Sequence, residues 1–158
     1  MTVTLASPEN ADAIVALLEE MDRFYGATDI EPFDVRVRQV QQALFADPPA
    51  AYALLAWEGE KLAGIASYSF LWPAVGLTRS LYLKELYVSQ EQRRAGIGTL
   101  LMRALFEIAA KHECSRVEWT TDKDNAAAQR FYEKLDPLRL PTELFYRVDS
   151  EMIDQRLR

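Results

Sequence analysis

Residues 80–110, SLYLKELYVSQEQRRAGIGTLLMRALFEIAA, pass from one periodicity to another within a single stretch. The first part, to Val88, is rich in aromatic and aliphatic residues, with Lys84 and Glu85 at its centre, and predicts a strand. From Ile97 onward, Leu100, Leu101, Ala104, Leu105, Ile108 and Ala109 keep helical spacing over several turns, so a long helix packs on the sheet. Between them stands a doubly basic turn with two glycines, EQRRAGIG. Where a strand runs into a helix, the first helical N–H groups have no partner of their own and the helix dipole makes that end partially positive. Gly96 and Gly98 remove side chains where a ligand would press on the backbone, and Arg93 and Arg94 add charge at the rim. The turn therefore suits an anion such as a pyrophosphate, although taken alone it fits a tight turn with solvated arginines equally well. Two other phosphate loops do not match, since no G-x-x-x-x-G-K-[ST] is present and no third glycine completes G-x-G-x-x-G.

Outward from this stretch the chain shows no repeat, no low-complexity block and no long linker. A short strand at Val3–Leu5 precedes a helix that Ser7 can cap, with Pro8 at its first position and Ile14, Leu17, Leu18 and Met21 as its apolar stripe. Residues 34–45 predict a second helix, and AYALLAW and LAGIASYSF form a hairpin about EGEK. Beyond the long helix, RVEWTT predicts a strand, NAAAQRFYEKL a helix and ELFYRVD a last strand. That order, one strand, two helices, three strands, then helix, strand, helix, strand, describes an α/β (α+β) fold with a mixed sheet and helices on both faces.

The chain has 158 residues, of which 49% are apolar and 11% aromatic, enough for one sizeable core. Its net charge of −6 argues against a nucleic-acid backbone or an anionic membrane as partner. Neither a secretory signal nor a membrane-spanning run is evident, and the single cysteine, Cys114, cannot form an intramolecular disulfide, which together predict a soluble cytoplasmic protein. Cys114 reads as core rather than nucleophile, His112 as a cap at the end of the long helix, and no cluster of metal ligands is present.

KELYVSQEQRRAGIGTLLM, followed about thirty residues later by DNAAAQRFYEKL, resembles the GNAT superfamily of acetyl-CoA-dependent N-acetyltransferases. The signature [QR]-x-x-G-x-[GA] is met by Arg93, Gly96 and Gly98, and its partner N-x-x-A-x-x-x-Y by Asn125, Ala128 and Tyr132. The spermidine/spermine, or diamine, branch is similar in the aromatic pair Phe24–Tyr25 and in the segments LYLKELYV and KHECSRVEW. The resemblance implies one acetyltransferase domain over residues 1–158 with a mixed, mostly antiparallel central sheet. It also implies that the strand at Leu86, Tyr87 and Val88 splays from its neighbour, leaving backbone groups for the pantetheine arm. The amides of Arg93, Arg94, Ala95, Gly96, Ile97, Gly98 and Thr99 would hold the coenzyme A pyrophosphate, with Asn125, Ala128 and Tyr132 against the coenzyme arm. An amide near Leu86 would polarise the thioester carbonyl.

Chemically, the amine must arrive neutral and the departing thiolate leaves more easily once protonated. By the resemblance Tyr132 is the acid, and a phenol with an ordinary pKa near ~10 is protonated at neutral pH. Phe131, Tyr132 and Leu135 also read as an apolar helix face, so a purely structural role stays open. Glu85 is the candidate base, because a carboxylate in an apolar strand is costly unless partnered or functional. Alternation along a strand turns Lys84 to the opposite face and disfavours their direct pairing. The spermidine/spermine enzymes are acidic at both positions, so Lys84 is a departure that would repel a polyamine. Asn125 doubles as a helix N-cap.

The acceptor side is expected from Tyr25, Asp29, Glu31, Phe33, Trp57 and Trp72, together with Glu85, since acidic and aromatic groups suit an amine. A small primary amine, such as a polyamine or other diamine, is the expected acceptor, by direct attack in a ternary complex. The alternatives are a protein N-terminus or lysine, and a non-catalytic acyl-CoA-binding regulatory module. A homodimer is compatible with the aromatic hairpin and last strand.

Overall fold

The computed structural model describes residues 1–158, which fall into two compact units, Met1–Thr120 and Thr121–Arg158. In the first, β1 (Thr2–Leu5) is followed by α1 (Ala11–Phe24), α2 (Phe33–Leu44), the hairpin β2 (Tyr52–Glu58) and β3 (Lys61–Leu71), then β4 (Ser80–Val88), α3 (Ile97–Lys111) and β5 (Arg116–Glu118). The five strands lie in chain order, antiparallel throughout except for the parallel pair β4 and β5. The expected mixed, mostly antiparallel sheet is therefore present.

Local chemistry explains the boundaries. Before α1, Ser7 and Asn10 form a capping box around the single turn Pro8–Asn10, with the Ser7 amide 2.8 Å from Asn10 Oδ1. The α1 stripe predicted from sequence is the buried one, since Ile14 and Leu17 pack with Ala53, Leu55, Ile65 and Tyr87 on one face of the sheet. Val40 and Leu44 of α2 join that cluster. On the other face lies α3, whose Leu101, Met102 and Leu105 are fully buried. Gly64 of β3 permits this approach, because a Cβ there would stand 2.9 Å from Ile97 Cγ2 and 3.1 Å from Leu101 Cδ1.

One irregularity in β4 governs the site. Leu83 pairs with Tyr68 and Glu85 with Ser67, so Lys84 is the extra residue of a β-bulge. The bulge shifts the alternation. Leu81 and Leu83 share the face of Phe70 and Tyr68, whereas Glu85 and Tyr87 share that of Ser67 and Ile65, the face of α1 and α2. The regular alternation that separates Lys84 from Glu85 in an ordinary strand does not carry across this point.

The second unit holds α4 (Ala126–Glu133) and α5 (Ser150–Leu157). Two expectations are corrected here. RVEWTT forms a strand only at Arg116–Glu118, and ELFYRVD forms none. Its alternating apolar residues supply strand propensity, but a strand also needs a neighbour to pair with, and Leu144, Phe145 and Tyr146 stay exposed. α5 was not anticipated; Asp149 caps it by accepting the Met152 amide at 2.9 Å.

Candidate active site

β4 is paired on both sides only at its beginning. Its ladder with β5 runs from Ser80↔Arg116 to Tyr82↔Glu118 and stops there, while β4 continues along β3 as far as Val88↔Gly64. Ser80 Oγ, itself buried, fastens the paired end by donating to Glu118 Oε1 at 2.6 Å. Beyond Tyr82 β4 has no paired neighbour on that side, because β5 ends at Glu118. A strand edge left this way offers backbone groups to a ligand lying in the gap.

The turn after β4 is built to leave amides open. Ser89 is buried and bonds back through its amide to Ala63 O at 2.9 Å. A single helical turn, Gln90–Gln92, follows, and then Arg94 and Gly96 both take left-handed backbone, with φ of 71° and 78°. Gly96 is the N-cap of α3, and an added Cβ there would meet nothing within 4 Å. The first amide of the helix to bond back is that of Leu100, to Gly96 O at 3.0 Å; those of Arg94 to Thr99 reach no backbone carbonyl. Six consecutive amides at the positive end of a fifteen-residue helix form a site suited to a diphosphate. Arg94, Ala95, Gly96 and Thr99 are exposed, Gly98 is half-buried, and Ile97 is buried so that only its main chain faces the turn.

Arg93 is exposed, and its side chain also reaches back toward α1. Its guanidinium lies 4.2 Å from the Phe24 ring centre and 5.6 Å from that of Tyr87, and its Nε donates to Val88 O at 3.4 Å. The residue is held against α1. Tyr87 is buried, and its phenol is pushed up to about 12, first by that burial and then by the Glu20 carboxylate beside it. The Tyr87 hydroxyl and Glu20 Oε2 are both buried and neither makes a well-formed hydrogen bond, although the carboxylate lies close enough to raise the phenol.

Glu85 sits half-buried just after the bulge, on the face of α1 and α2. Lys84 beside it is exposed. In the second unit, Asn125 caps α4 by accepting the Ala128 amide at 3.1 Å, and Tyr132, half-buried, lies one turn beyond Ala128 with its ring 5.2 Å from Phe131.

The expected acceptor residues do not form one cluster through their own contacts. Tyr25 ends α1, exposed, with its ring 5.1 Å from Phe24. Asp29 is exposed; Glu31 accepts from Gln39 Nε2 at 3.2 Å, and Phe33 begins α2. Trp72, exposed, closes its own loop by donating to Leu77 O at 2.8 Å. Trp57 is spent elsewhere, packed on the core and bonded through Nε1 to Thr4 Oγ1 at 3.0 Å on β1. His112 ends α3, as expected, and its carbonyl accepts from Arg79 Nη2 at 3.1 Å. A concavity of about 460 Å³ between β1 and α3, lined by Val3, Leu54, Leu100 and Ala104 among others, involves none of these residues.

Sequence reasoning missed Gly64, the Lys84 bulge and the contacts of Phe24 and Glu20. An isolated glycine inside an apolar strand was a signal of close approach, and adjacent charges within a strand were a signal of broken alternation.

Known proteins resemble this chain in sequence and in fold. The chain is 22% identical over 158 residues to a thialysine N-epsilon-acetyltransferase of Caenorhabditis elegans, covering 97% of this chain and 94% of that protein. Over 74 residues it is 30% identical to an L-ornithine N5-acetyltransferase of Arabidopsis thaliana, covering 47% of this chain and 32% of that protein. Among solved structures, an integron cassette protein from the mobile metagenome of V. cholerae superposes with a TM-score of 0.90 at 26% identity, covering 100% of this chain and 99% of that one. The acetyltransferase (GNAT) family model matches residues 14–136, a span containing both the part-paired strand with its open turn and the α4 helix, and the chain belongs to that family of acyltransferase enzymes.

Proposed function

We propose that this protein transfers the acetyl group of acetyl-CoA to a primary amine of a small molecule. The observation that carries the coenzyme reading is the run of open amides from Arg94 to Thr99, one short turn after the unpaired edge of β4. In this reading those amides hold the pyrophosphate, with Thr99 adding its hydroxyl, and the edge at Leu86 to Val88 bonds the pantetheine arm. The coenzyme supplies an activated acetyl thioester. Glu85 draws a proton from the incoming ammonium, directly or through water, so that the nitrogen attacks as a free amine. Tyr132 Oη gives up a proton as the thiolate departs, while an amide near Leu86 stabilises the charge that develops on the carbonyl oxygen.

The acceptor class follows from charge. Lys84 is exposed next to Glu85, so a polycation would meet a like charge there. An amine that also carries a carboxylate is better matched, with its carboxylate toward Lys84 and its amine toward Glu85. The names of the two relatives, on thialysine and on ornithine, support an amino acid with a side-chain amine over a plain polyamine.

The test is thiol release from acetyl-CoA with ornithine, thialysine, lysine, spermidine and a peptide as acceptors, on the native protein and Tyr132→Phe. Turnover with an amino-acid diamine, falling about 100-fold in kcat in the tyrosine variant with little change in either KM, is expected. Faster turnover with spermidine would refute the acceptor class, and an unchanged kcat in Tyr132→Phe would remove its role.

A further inference from the structure

Helix α1 grips the base of the coenzyme turn at two points one helical turn apart. Glu20 and Phe24 share one side of the helix, and the residues they hold, Ser89 and Arg93, are likewise four apart and bracket the Gln90–Gln92 turn. Ser89 Oγ donates to Glu20 Oε1 at 3.1 Å, and the Arg93 guanidinium stacks on the Phe24 ring at 4.2 Å. Between them Lys61, at the start of β3, pairs with Glu91. Every second residue from Ser89 to Arg93 is thus fastened before the open amides begin at Arg94.

The chemistry of Glu20 is not that of a stabilising core residue. Its Oε2 and the neighbouring Tyr87 hydroxyl are both buried without a well-formed hydrogen bond, an arrangement that costs folding energy. Hydrocarbon side chains at both positions would avoid that cost. Nor does a carboxylate have the sign to touch a pyrophosphate. What it does is accept the Ser89 hydroxyl, and so fix where β4 ends and the turn begins.

We infer that Glu20, acting through Ser89, is a positioning residue for the coenzyme turn, with the Phe24–Arg93 stack as its second point of attachment. The inference rests on the reading of residues 94–99 as the pyrophosphate site. It assigns Arg93 to holding the loop against α1 rather than to contact with the phosphates.

The experiment is acetyl-CoA binding by calorimetry, with separate KM values for acetyl-CoA and for the amine, on the native enzyme, Glu20→Ala, Glu20→Gln, Ser89→Ala and the neighbouring surface control Glu19→Ala. Glu20→Ala and Ser89→Ala are expected to weaken acetyl-CoA binding and raise its KM about 10-fold, leaving the amine KM and the control unchanged. Glu20→Gln keeps an acceptor for Ser89 and should restore binding to within about 3-fold of native. Native-like acetyl-CoA affinity in folded Glu20→Ala, or an equal rise in both KM values, would overturn the inference. Should Glu20→Ala fail to fold, Ser89→Ala decides by the same readings. A native protein that binds no acetyl-CoA would overturn the coenzyme reading and this inference together, whereas native binding with indifferent variants overturns only the inference.

Discussion

The two halves of β4 are one strand with two occupations. From Ser80 to Leu83 it carries Ser80, Leu81 and Leu83 as buried residues and has β3 on one side and β5 on the other as far as Tyr82. From Lys84 to Val88 it keeps β3 alone, its burial falls to exposed or half-buried except at Tyr87, and it delivers the chain into the open turn. The bulge at Lys84 is the joint between them. The first half is therefore a piece of the core, while the second gives up part of its pairing and exposes backbone beside the proposed coenzyme site.

The contrast predicts that the two halves fail differently. The largest effect is expected at Leu81, fully buried, where alanine should cost about 2–5 kcal/mol of stability. Leu86→Ala, in the half-buried region, should cost roughly 1 kcal/mol and instead raise the KM for acetyl-CoA. Thermal unfolding and kinetics measured side by side would break the comparison if both variants lost only stability.

Glu85→Gln sharpens it next. A residue in the functional half should lose activity without losing the fold, so kcat is expected to drop about 100-fold with stability within about 0.5 kcal/mol of native. A melting temperature that falls in step with kcat would return Glu85 to a structural role.

Gly64 joins the two halves' concerns, because it pairs with Val88 and also admits α3. Alanine there would press on Ile97 Cγ2 from 2.9 Å, displacing the start of the helix. A cost of about 1–3 kcal/mol is expected, accompanied by weaker acetyl-CoA binding. Loss of stability without any change in binding would separate the helix start from the coenzyme site.

The smallest effect at neutral pH comes from the tyrosines. Tyr68, opposite Leu83, and Tyr87 both have phenols raised to about 12, largely by burial. In the unfolded chain such groups ionise near ~10, so the folded state binds more protons above that pH. Their contribution is intact below about pH 10 and is lost as the pH rises toward about 12. Denaturation midpoints between pH 8 and 11.5 should fall, and Tyr87→Phe should flatten that fall. An unaltered slope in the variant would place the alkaline sensitivity at Tyr68 of β3, opposite the first half.

Much of this was legible in the chain itself. The α1 stripe, the β2–β3 hairpin, the strand into a glycine turn into α3, and the Asn125 cap of α4 each rest on local periodicity or on one backbone rule. The turn proposed for the coenzyme was legible for the same reason, since the role proposed for it rests on main-chain amides and on residues that stay out of the way. ELFYRVD shows the limit, because its alternation is real and its partner strand is not supplied by any nearby residue.

The sequence by itself determined the element order, the buried faces of α1 and α3, and the chemistry available at residues 85–99, all of which depend on spacing within a few turns of chain. Only the tertiary structure decided that Lys84 is a bulge turning Glu85 to the face of α1, that Trp57 belongs to β1, and that Arg93 rests on Phe24. Each of those follows from register or packing between segments far apart in the chain. Glu20 and Ser89 stand 69 positions apart, and no local pattern marks them as partners. Their contact exists only once the sheet has fixed where β4 ends beneath α1.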